Sequence, residues 1–382
     1  MQRSTDRILT THTGSLPRPD DLVSLLEGHD QREARSEPRF QERVSSAVKE
    51  IVQKQVAAGV TVVNDGEMSK VGYSTYLTDR VTGFSEQSRP SRPQVEAGHF
   101  PEYYQANVTA GTMIRRPVCV GPIEWRGDAQ VQQDVANFQA ALEGVTVADA
   151  FMTAASPGVV WQFLENEHYP THEAYVFAVA DAMRHEYNAI HKAGFVLQLD
   201  CPELAMGWNR YTFADATIDD FRKVAELHVA ALNHAISDIP ADRVRLHLCW
   251  GNYEGPHIRD IPLERIIDIV LTANVGAISF EAANPRHAHE WRVFDGLKLP
   301  ANLIVIPGVL DSTTNFVEHP ELVAERIMRY AQLVGRENVI AGSDCGFSTF
   351  ARSALTVHPT VTWAKFQAMA EGARLASARL WT

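Results

Sequence analysis

The sequence predicts an α/β fold, a single (β/α)8 TIM barrel, and three observations predict it. Eight short apolar segments are spread along the chain. Most are separated by stretches with helical periodicity, the alternation that builds a parallel sheet. Each apolar segment ends in polar or small residues, where a barrel of this kind puts its reactive groups. At 382 residues the chain has room for it, since such barrels routinely exceed about 250 residues as one unit.

The first predicted strand is Ile8 to Thr13, closed by Gly14-Ser15-Leu16-Pro17. A helix from about Glu42 to Ala58 stops at Gly59, a common helix terminator, and leads to the second strand, Val60 to Asn64. The third is Val145 to Thr153, running out into Ala154-Ala155-Ser156-Pro157-Gly158. A helix from about Thr171 to Lys192 and a terminating Gly194 precede the fourth, Phe195 to Leu199. Val244 to Leu248, Ala277 to Phe280, Leu303 to Ile306 and Val339 to Ala341 complete the set, with helices expected at Ile218 to Ile236, Leu263 to Ala273 and Glu321 to Val334. The interval 85–144 reads as an insertion after the second strand. Its start, Arg89-Pro90-Ser91-Arg92-Pro93, looks irregular, and Pro117 to Ile123 inside it reads as a strand of a hairpin. The chain, 1–382, is thus expected to be one barrel domain. An open doubly wound sheet is the alternative, weakened because no Gly-x-Gly-x-x-Gly follows any predicted strand.

Composition excludes several classes of function. An apolar share of 45% with 21% charged residues is that of a globular protein with ample core. The net charge of −12 argues against a nucleic-acid or anionic-membrane partner, either of which calls for clustered Lys and Arg. No apolar run approaches the roughly 18–20 residues of a membrane span. The start of the chain lacks the apolar stretch of a signal peptide. Four cysteines in so long a chain do not make a disulfide framework, so the expected setting is a reducing cytoplasm.

The predicted strand ends carry Ser15, Asp65, Glu67, Ser156, Asp200, His247, Cys249, Glu281, Asp311, Asp344 and Cys345. Residues i and i+2 of a strand point to one side, so His247 and Cys249 can reach one metal ion together. Cys345 would arrive from the last strand and Glu281 from one between. Two thiols and an imidazole are donors that zinc prefers, which makes Zn2+ the expected cofactor; an open fourth position marks a catalytic rather than a structural site. Cys119 and Cys201 have no such partners in sequence and are read as packing residues, as most free cysteines are. His12, near the end of the first strand, is expected to line the pocket. His287, His289, His319 and His358 lie near proline or charged residues and are expected at the surface or in turns.

Seven stretches occur in one order: Thr10-Thr11-His12-Thr13-Gly14-Ser15-Leu16-Pro17, Asn64-Asp65-Gly66-Glu67, Leu199-Asp200-Cys201-Pro202, His247-Leu248-Cys249, Ser279-Phe280-Glu281, Pro307-Gly308-Val309-Leu310-Asp311 and Ser343-Asp344-Cys345-Gly346. This ordered set resembles the catalytic barrel of cobalamin-independent methionine synthase and its single-barrel relatives, among them the epoxyalkane:coenzyme M transferases. The full methionine synthase has a second, N-terminal barrel, for which this chain has no room. The resemblance implies that His247, Cys249, Glu281 and Cys345 are zinc ligands, with Glu281 giving way to an incoming thiol. It implies that Ser15, Glu67 and Asp200 hold the amino-acid part of a homocysteine-like substrate. Two carboxylates suit an ammonium group.

There are departures. Thr313 stands where the methionine synthases have a histidine, and Cys201 where they have Glu after the strand-end aspartate. Both put methylfolate as the donor in doubt. The reaction implied is zinc-dependent S-alkylation, with a small-molecule thiol and an alkyl donor as partners and self-association into a homo-oligomer left open. Methyl transfer to a homocysteine-like thiol is one form. Epoxide opening by a thiol is the alternative, for which Asp311, Asp344 or Tyr73 would supply a proton, and Arg18 or Arg210 would anchor a sulfonate. A decarboxylase-like pocket should cluster arginine at the strand ends, and here those ends are acidic. A non-enzymatic metal-binding barrel is the remaining reading.

Overall fold

The computed structural model describes residues 1–27, 38–90, 94–107, 116–351 and 355–382. Eight parallel strands lie in the order β1 (Leu9–Thr10), β10 (Ile340–Ser343), β9 (Ile304–Leu310), β8 (Ala277–Phe280), β7 (Val244–Leu248), β6 (Val196–Asp200), β5 (Asp149–Ala155) and β2 (Val62–Val63). The two ends of this series meet. Thr61 donates its backbone N–H to Thr10 O at 3.1 Å, and the Thr11 hydroxyl donates to Val62 O at 3.0 Å. The two bonds bridge the seam between β1 and β2 and bring the sheet nearly to a closed barrel.

An outer layer of helices covers the ring: α1 (Asp20–Glu27), α2 (Pro38–Ala57), α4 (Asp128–Leu142), α5 (Pro157–Phe163), α6 (His172–Lys192), α7 (Ile218–Ala235), α8 (Ile267–Val270), α9 (Pro320–Val334) and α10 (Pro359–Leu380), with α3 (Pro101–Asn107) in the interval after β2. Their ends follow from local chemistry. Thr171 accepts from Ala174 N at the start of α6, and Thr217 with Asp220 forms a capping box on α7. Gly59 and Gly194 take φ of +85° and +89° just beyond α2 and α6, a conformation that costs glycine nothing.

The interval after β2 holds an antiparallel hairpin, β3 (Phe84–Ser88) with β4 (Pro117–Cys119). Residues 91–93 of the irregular run noted in the sequence lie outside the described residues. The C-terminal part of the interval 85–144 is α4, which packs between α2 and α6 as a member of the helical ring. Two expectations shift. The third strand begins at Asp149, because Gly144 (φ +72°) opens a turn in which Val145 and Val147 pack on the core without pairing. The helix expected over Leu263 to Ala273 is a 3-10 turn, Leu263–Arg265, followed by the short α8. Among the described residues no helix is long and apolar enough to cross a membrane.

Alternate residues of each strand fill the interior in layers. Leu9, Val62, Phe151, Val196, Ala277, Ile304, Ile306 and Ile340 form an apolar plug at the N-terminal end. Above it lies Arg245, which donates to Gln198 Oε1 at 2.8 Å, Thr11 Oγ1 at 3.1 Å and His12 O at 2.9 Å, with its guanidinium 3.4 Å from the centre of the Phe151 ring. This polar layer satisfies a fully buried cation and forms the floor on which the site stands.

Candidate metal centre and substrate pocket

On β7 the inward series continues from Arg245 to His247 and Cys249. Cys345 follows the end of β10, and its Sγ lies 3.0 Å from Cys249 Sγ and 3.7 Å from His247 Nε2. The three donor atoms fall within 4.8 Å of one another, and all three residues are buried. All four cysteines are free thiols. Tetrahedral zinc with bonds near 2.3 Å to sulfur and 2.0–2.1 Å to nitrogen sets its donors roughly 3.5–3.8 Å apart. The Cys345–His247 separation fits as it stands, and the two sulfurs need to part by about 0.8 Å on the same bond lengths. Burial lowers the His247 pKa to about 3, with Arg245 adding to the effect, so the imidazole is neutral, as a ligand must be. With Nδ1–H donating to Ser279 Oγ at 3.3 Å, Nε2 keeps its lone pair for the metal.

Glu281 lies beside the triad. Its Oε1 accepts from Trp250 N at 2.7 Å and is 3.6 Å from Cys345 Sγ, while Oε2 accepts from Asn284 Nδ2 at 2.7 Å. It is held next to the donor set without belonging to the close triad.

Across the pocket sits a pair of carboxylates. Glu67 adopts φ +59°, in the left-handed region that non-glycine residues seldom occupy. The turn is fixed by Asn64 Oδ1, which accepts from Gly66 N at 2.8 Å, and Asp65 Oδ1, which accepts from Glu67 N at 3.0 Å. Arg18 also donates to Glu67 O at 2.9 Å. Glu67 Oε1 accepts from the Thr153 hydroxyl at 2.9 Å; Oε2 is buried with no hydrogen-bond partner. Asp200 accepts from Gln198 Nε2 at 2.7 Å. Burial, then the charge of Glu67, pushes its pKa up. The charges of buried Lys70 and Arg245 partly offset the pair, and Glu67 Oε2 is still left without a hydrogen-bond partner. Ser15 and Thr13 also line this pocket, whose volume is about 330 Å³, inside the ~300–1,000 Å³ range of small-molecule sites.

Four expected residues lie elsewhere. His12 is not in the pocket: its Nε2 bonds Gln55 of α2 at 2.8 Å and its ring packs on Phe366 of α10. The alternation of Leu9, Thr11 and Thr13 into the interior leaves position 12 on the helix side. Asp344 is spent on backbone amides, accepting from Ala282, Ala283 and Asn284 N at 2.7–2.8 Å. Asp311 caps its own turn, accepting from Thr313 N and Oγ1 and from the Thr314 hydroxyl. His287 is not a surface residue: it is buried, bonded to Glu290 at 2.8 Å and Asp260 at 3.0 Å, and stacked on Trp250 at 4.1 Å. His289, His319 and His358 are exposed. Arg18 is buried under the Glu67 turn, whereas Arg210 lines the pocket. Sequence reasoning missed Thr153, Arg116 and Tyr253; Thr153 alone had a signal, since it shares the inward parity of Phe151.

A family model described as the catalytic domain of cobalamin-independent synthase matches residues 8–365. The chain belongs to the cobalamin-independent methionine synthase family. The methionine synthase of Thermococcus kodakarensis is 23% identical over 346 residues, 90% of this chain and 88% of that protein. That of Saccharolobus solfataricus is 24% identical over 369 residues, 96% and 94% of the two chains. Among solved structures, a B12-independent methionine synthase from Shewanella sp. W3-18-1, in complex with selenomethionine, superposes with a TM-score of 0.71 at 18% identity, covering 98% of this chain and 99% of that one. At that identity the superposition speaks for the shared barrel.

Proposed function

We propose that this family member is a zinc-dependent thiol alkyltransferase that methylates the sulfur of a homocysteine-like amino-thiol, working in the cytoplasm. The observation that carries the reading is the meeting, in one pocket, of a His/Cys/Cys donor set with a two-carboxylate cradle. Family membership and the methionine synthase relatives support methyl transfer over other alkylations.

Bound by His247, Cys249 and Cys345, with Glu281 as the exchangeable fourth donor, Zn2+ would supply the charge that strips a substrate thiol of its proton at neutral pH. The chain's own residues do the rest. The free Oε2 of Glu67 and the carboxylate of Asp200 take the substrate ammonium through charge-assisted hydrogen bonds, with Ser15 beside them. That anchors the amino-acid end and aims the sulfur at the triad. Trp250 N–H and Asn284 keep the Glu281 carboxylate nearby when the thiol takes its place. The rings of Tyr73, Phe163 and Phe350 wall the reacting sulfur from water.

Epoxide opening would use the same nucleophile but needs an acid for the alkoxide. With Asp311 and Asp344 occupied, Tyr73 is the residue of the three that lines the pocket. The test is turnover of homocysteine with methyl donors beside turnover of coenzyme M with epoxides, in metal-loaded and metal-stripped protein. Undiminished alkylation without metal would overturn the proposal.

A further inference from the structure

A buried chain of ionisable side chains, His257, Asp260, His287 and Glu290, joins the loop after β7 to the loop after β8. Asp260 Oδ2 lies 3.0 Å from His257 Nδ1 and 3.0 Å from His287 Nε2, and Glu290 Oε2 lies 2.8 Å from His287 Nδ1. His257 Nε2 is 3.0 Å from Tyr253 O. Glu290 is pinned in turn by Leu263 N, which donates to its Oε1 at 2.7 Å. The side chains of Asp260 and His287 are each 4% exposed.

Donor counting sets the charges. An ionised carboxylate and a backbone carbonyl only accept, so both nitrogens of each ring must carry a hydrogen. Both imidazoles are therefore cations. Burial lowers the pKa of both, but hydrogen bonds to Asp260, and for His287 also to Glu290, outweigh it; that of His257 rises and that of His287 reaches about 10. Positive and negative groups alternate along the chain, which spares a buried cluster the cost of unpaired charge. His257 takes a left-handed φ of +52° to complete it.

Trp250, the residue after Cys249, connects this cluster to the metal centre. Its ring lies on the His287 ring with centroids 4.1 Å apart and planes 28° from parallel, and its Nε1 donates to Ile261 O at 2.7 Å. With the indole held at both points, the Trp250 backbone N–H is aimed at Glu281 Oε1, 2.7 Å away. Asn284 Nδ2 is shared between Glu281 Oε2 at 2.7 Å and Asp344 Oδ2 at 3.0 Å, so two carboxylates stand across one amide. On one side the charge of Glu281 reaches Cys249, Cys345 and Asp344; on the other it reaches His287 and His257. A carboxylate displaced into that setting, buried and beside like charge, is unfavourable unless a cation faces it.

We propose that His287 is the positioning residue for Glu281: its fixed positive charge stabilises the carboxylate off the metal, and its stack on Trp250 keeps the carboxylate close enough to return. His287 thereby sets how readily a thiol takes the fourth position, while touching neither the thiol nor the donor triad. The inference rests on the proposed reading of Glu281 as the exchangeable ligand.

The test is titration calorimetry of the zinc-loaded protein with L-homocysteine. His287→Gln should keep its zinc and bind homocysteine at least about 10-fold more weakly, the lower end of what an outer-shell partner is worth. His287→Lys, which restores a cation and its donors, should recover part of the loss. In the Glu281→Gln background no carboxylate has to be displaced, so His287→Gln should cost about twofold or less there. Coupled groups break additivity in this way, whereas a purely structural role costs the same in both backgrounds. An equal loss in both backgrounds, an unchanged affinity in His287→Gln, or loss of its zinc overturns the proposal.

Should His287→Gln fail to fold, nitrogen NMR of the native protein with isotope-labelled histidine decides the matter. Both ring nitrogens of His287 should be protonated. Its resonances should move when homocysteine is added to the zinc-loaded protein and stay in place in Glu281→Gln. A bare ring nitrogen, or resonances that ignore the thiol, overturns the proposal without any change at His287. Entry of homocysteine sulfur into the zinc shell, read by X-ray absorption on the native protein, is scored separately. If sulfur enters equally well in His287→Gln, this inference alone falls; if none enters the native protein, the thiol reading falls and takes the inference with it.

Discussion

Cys249 and Cys345 are 96 residues apart in the chain, and their sulfurs are 3.0 Å apart. That contact depends on two strands that are not neighbours in the ring, β7 and β10, presenting their ends at one height. It brings together the donor set of the proposed metal centre.

The purified protein should hold close to one zinc per chain. Cys249→Ser and Cys345→Ser should each weaken zinc by more than the ~10–100-fold that loss of an outer-shell partner costs. Ser279→Ala, which removes the hydrogen bond to His247 Nδ1, should fall within that range. Metal analysis after dialysis against a graded chelator separates the cases. Full retention in both cysteine variants would remove these residues from the ligand set.

Glu67→Gln should raise the KM for the amino-thiol roughly 10–100-fold, the worth of one hydrogen bond between charged groups, while kcat moves less, as expected when uniform binding is lost. Zinc content should be unchanged. A fall in kcat at constant KM would instead place Glu67 in the chemical step.

Gly308→Ala should destabilise the barrel by about 1–3 kcal/mol, the usual cost of forcing volume into a packed interior. A methyl at this position would lie 1.9 Å from Asp344 Oδ1 and 2.7 Å from the Asp344 backbone N. Asp344 would have to release the amides of Ala282 to Asn284, which hold the loop carrying Glu281. Thermal unfolding measures the loss; an unchanged midpoint would mean that the two strands separate freely.

His287 predicts a pH dependence. Burial alone would lower its pKa, but hydrogen bonds to Asp260 and Glu290 outweigh it and raise the value from 6.5 to about 10. A group whose pKa is higher in the folded than in the unfolded chain stabilises the fold fully below the unfolded value. That contribution fades as pH climbs from about 6.5 through about 10. Denaturant unfolding between pH 7 and 10 should show the decline, with a shallower slope in His287→Gln. Equal slopes would mean that the imidazole is neutral in the folded protein.

The sequence by itself determined a parallel α/β sheet, because alternation of apolar segment and helix is a local pattern that such a sheet accommodates, and the count of eight segments favoured the barrel over the open sheet. It also determined that His247 and Cys249 face the same side, because two-residue parity within a strand needs no partner. The same parity, once Leu9 is known to face the interior, turns His12 away from the pocket it was expected to line.

What only the tertiary structure decided is which residues of distant segments face each other. Ile340 points into the interior plug, and strict alternation from it would aim Asp344 inward. The β10–β9 register shifts at Gly342/Ser343, where Gly308 and Leu310 are the partners, and β10 ends at Ser343. Cys345 is turned to Cys249 and His247, and Asp344 to the amides of the neighbouring loop. His287 near prolines and charges looked solvated; Asp260, 27 residues earlier, pairs with it and lets it be buried. Arg116 reaches the pocket only because the hairpin folds over the barrel mouth. Strand parity is set by the chain's own geometry, whereas register, ion pairing and loop placement are set by segments that sequence order keeps apart.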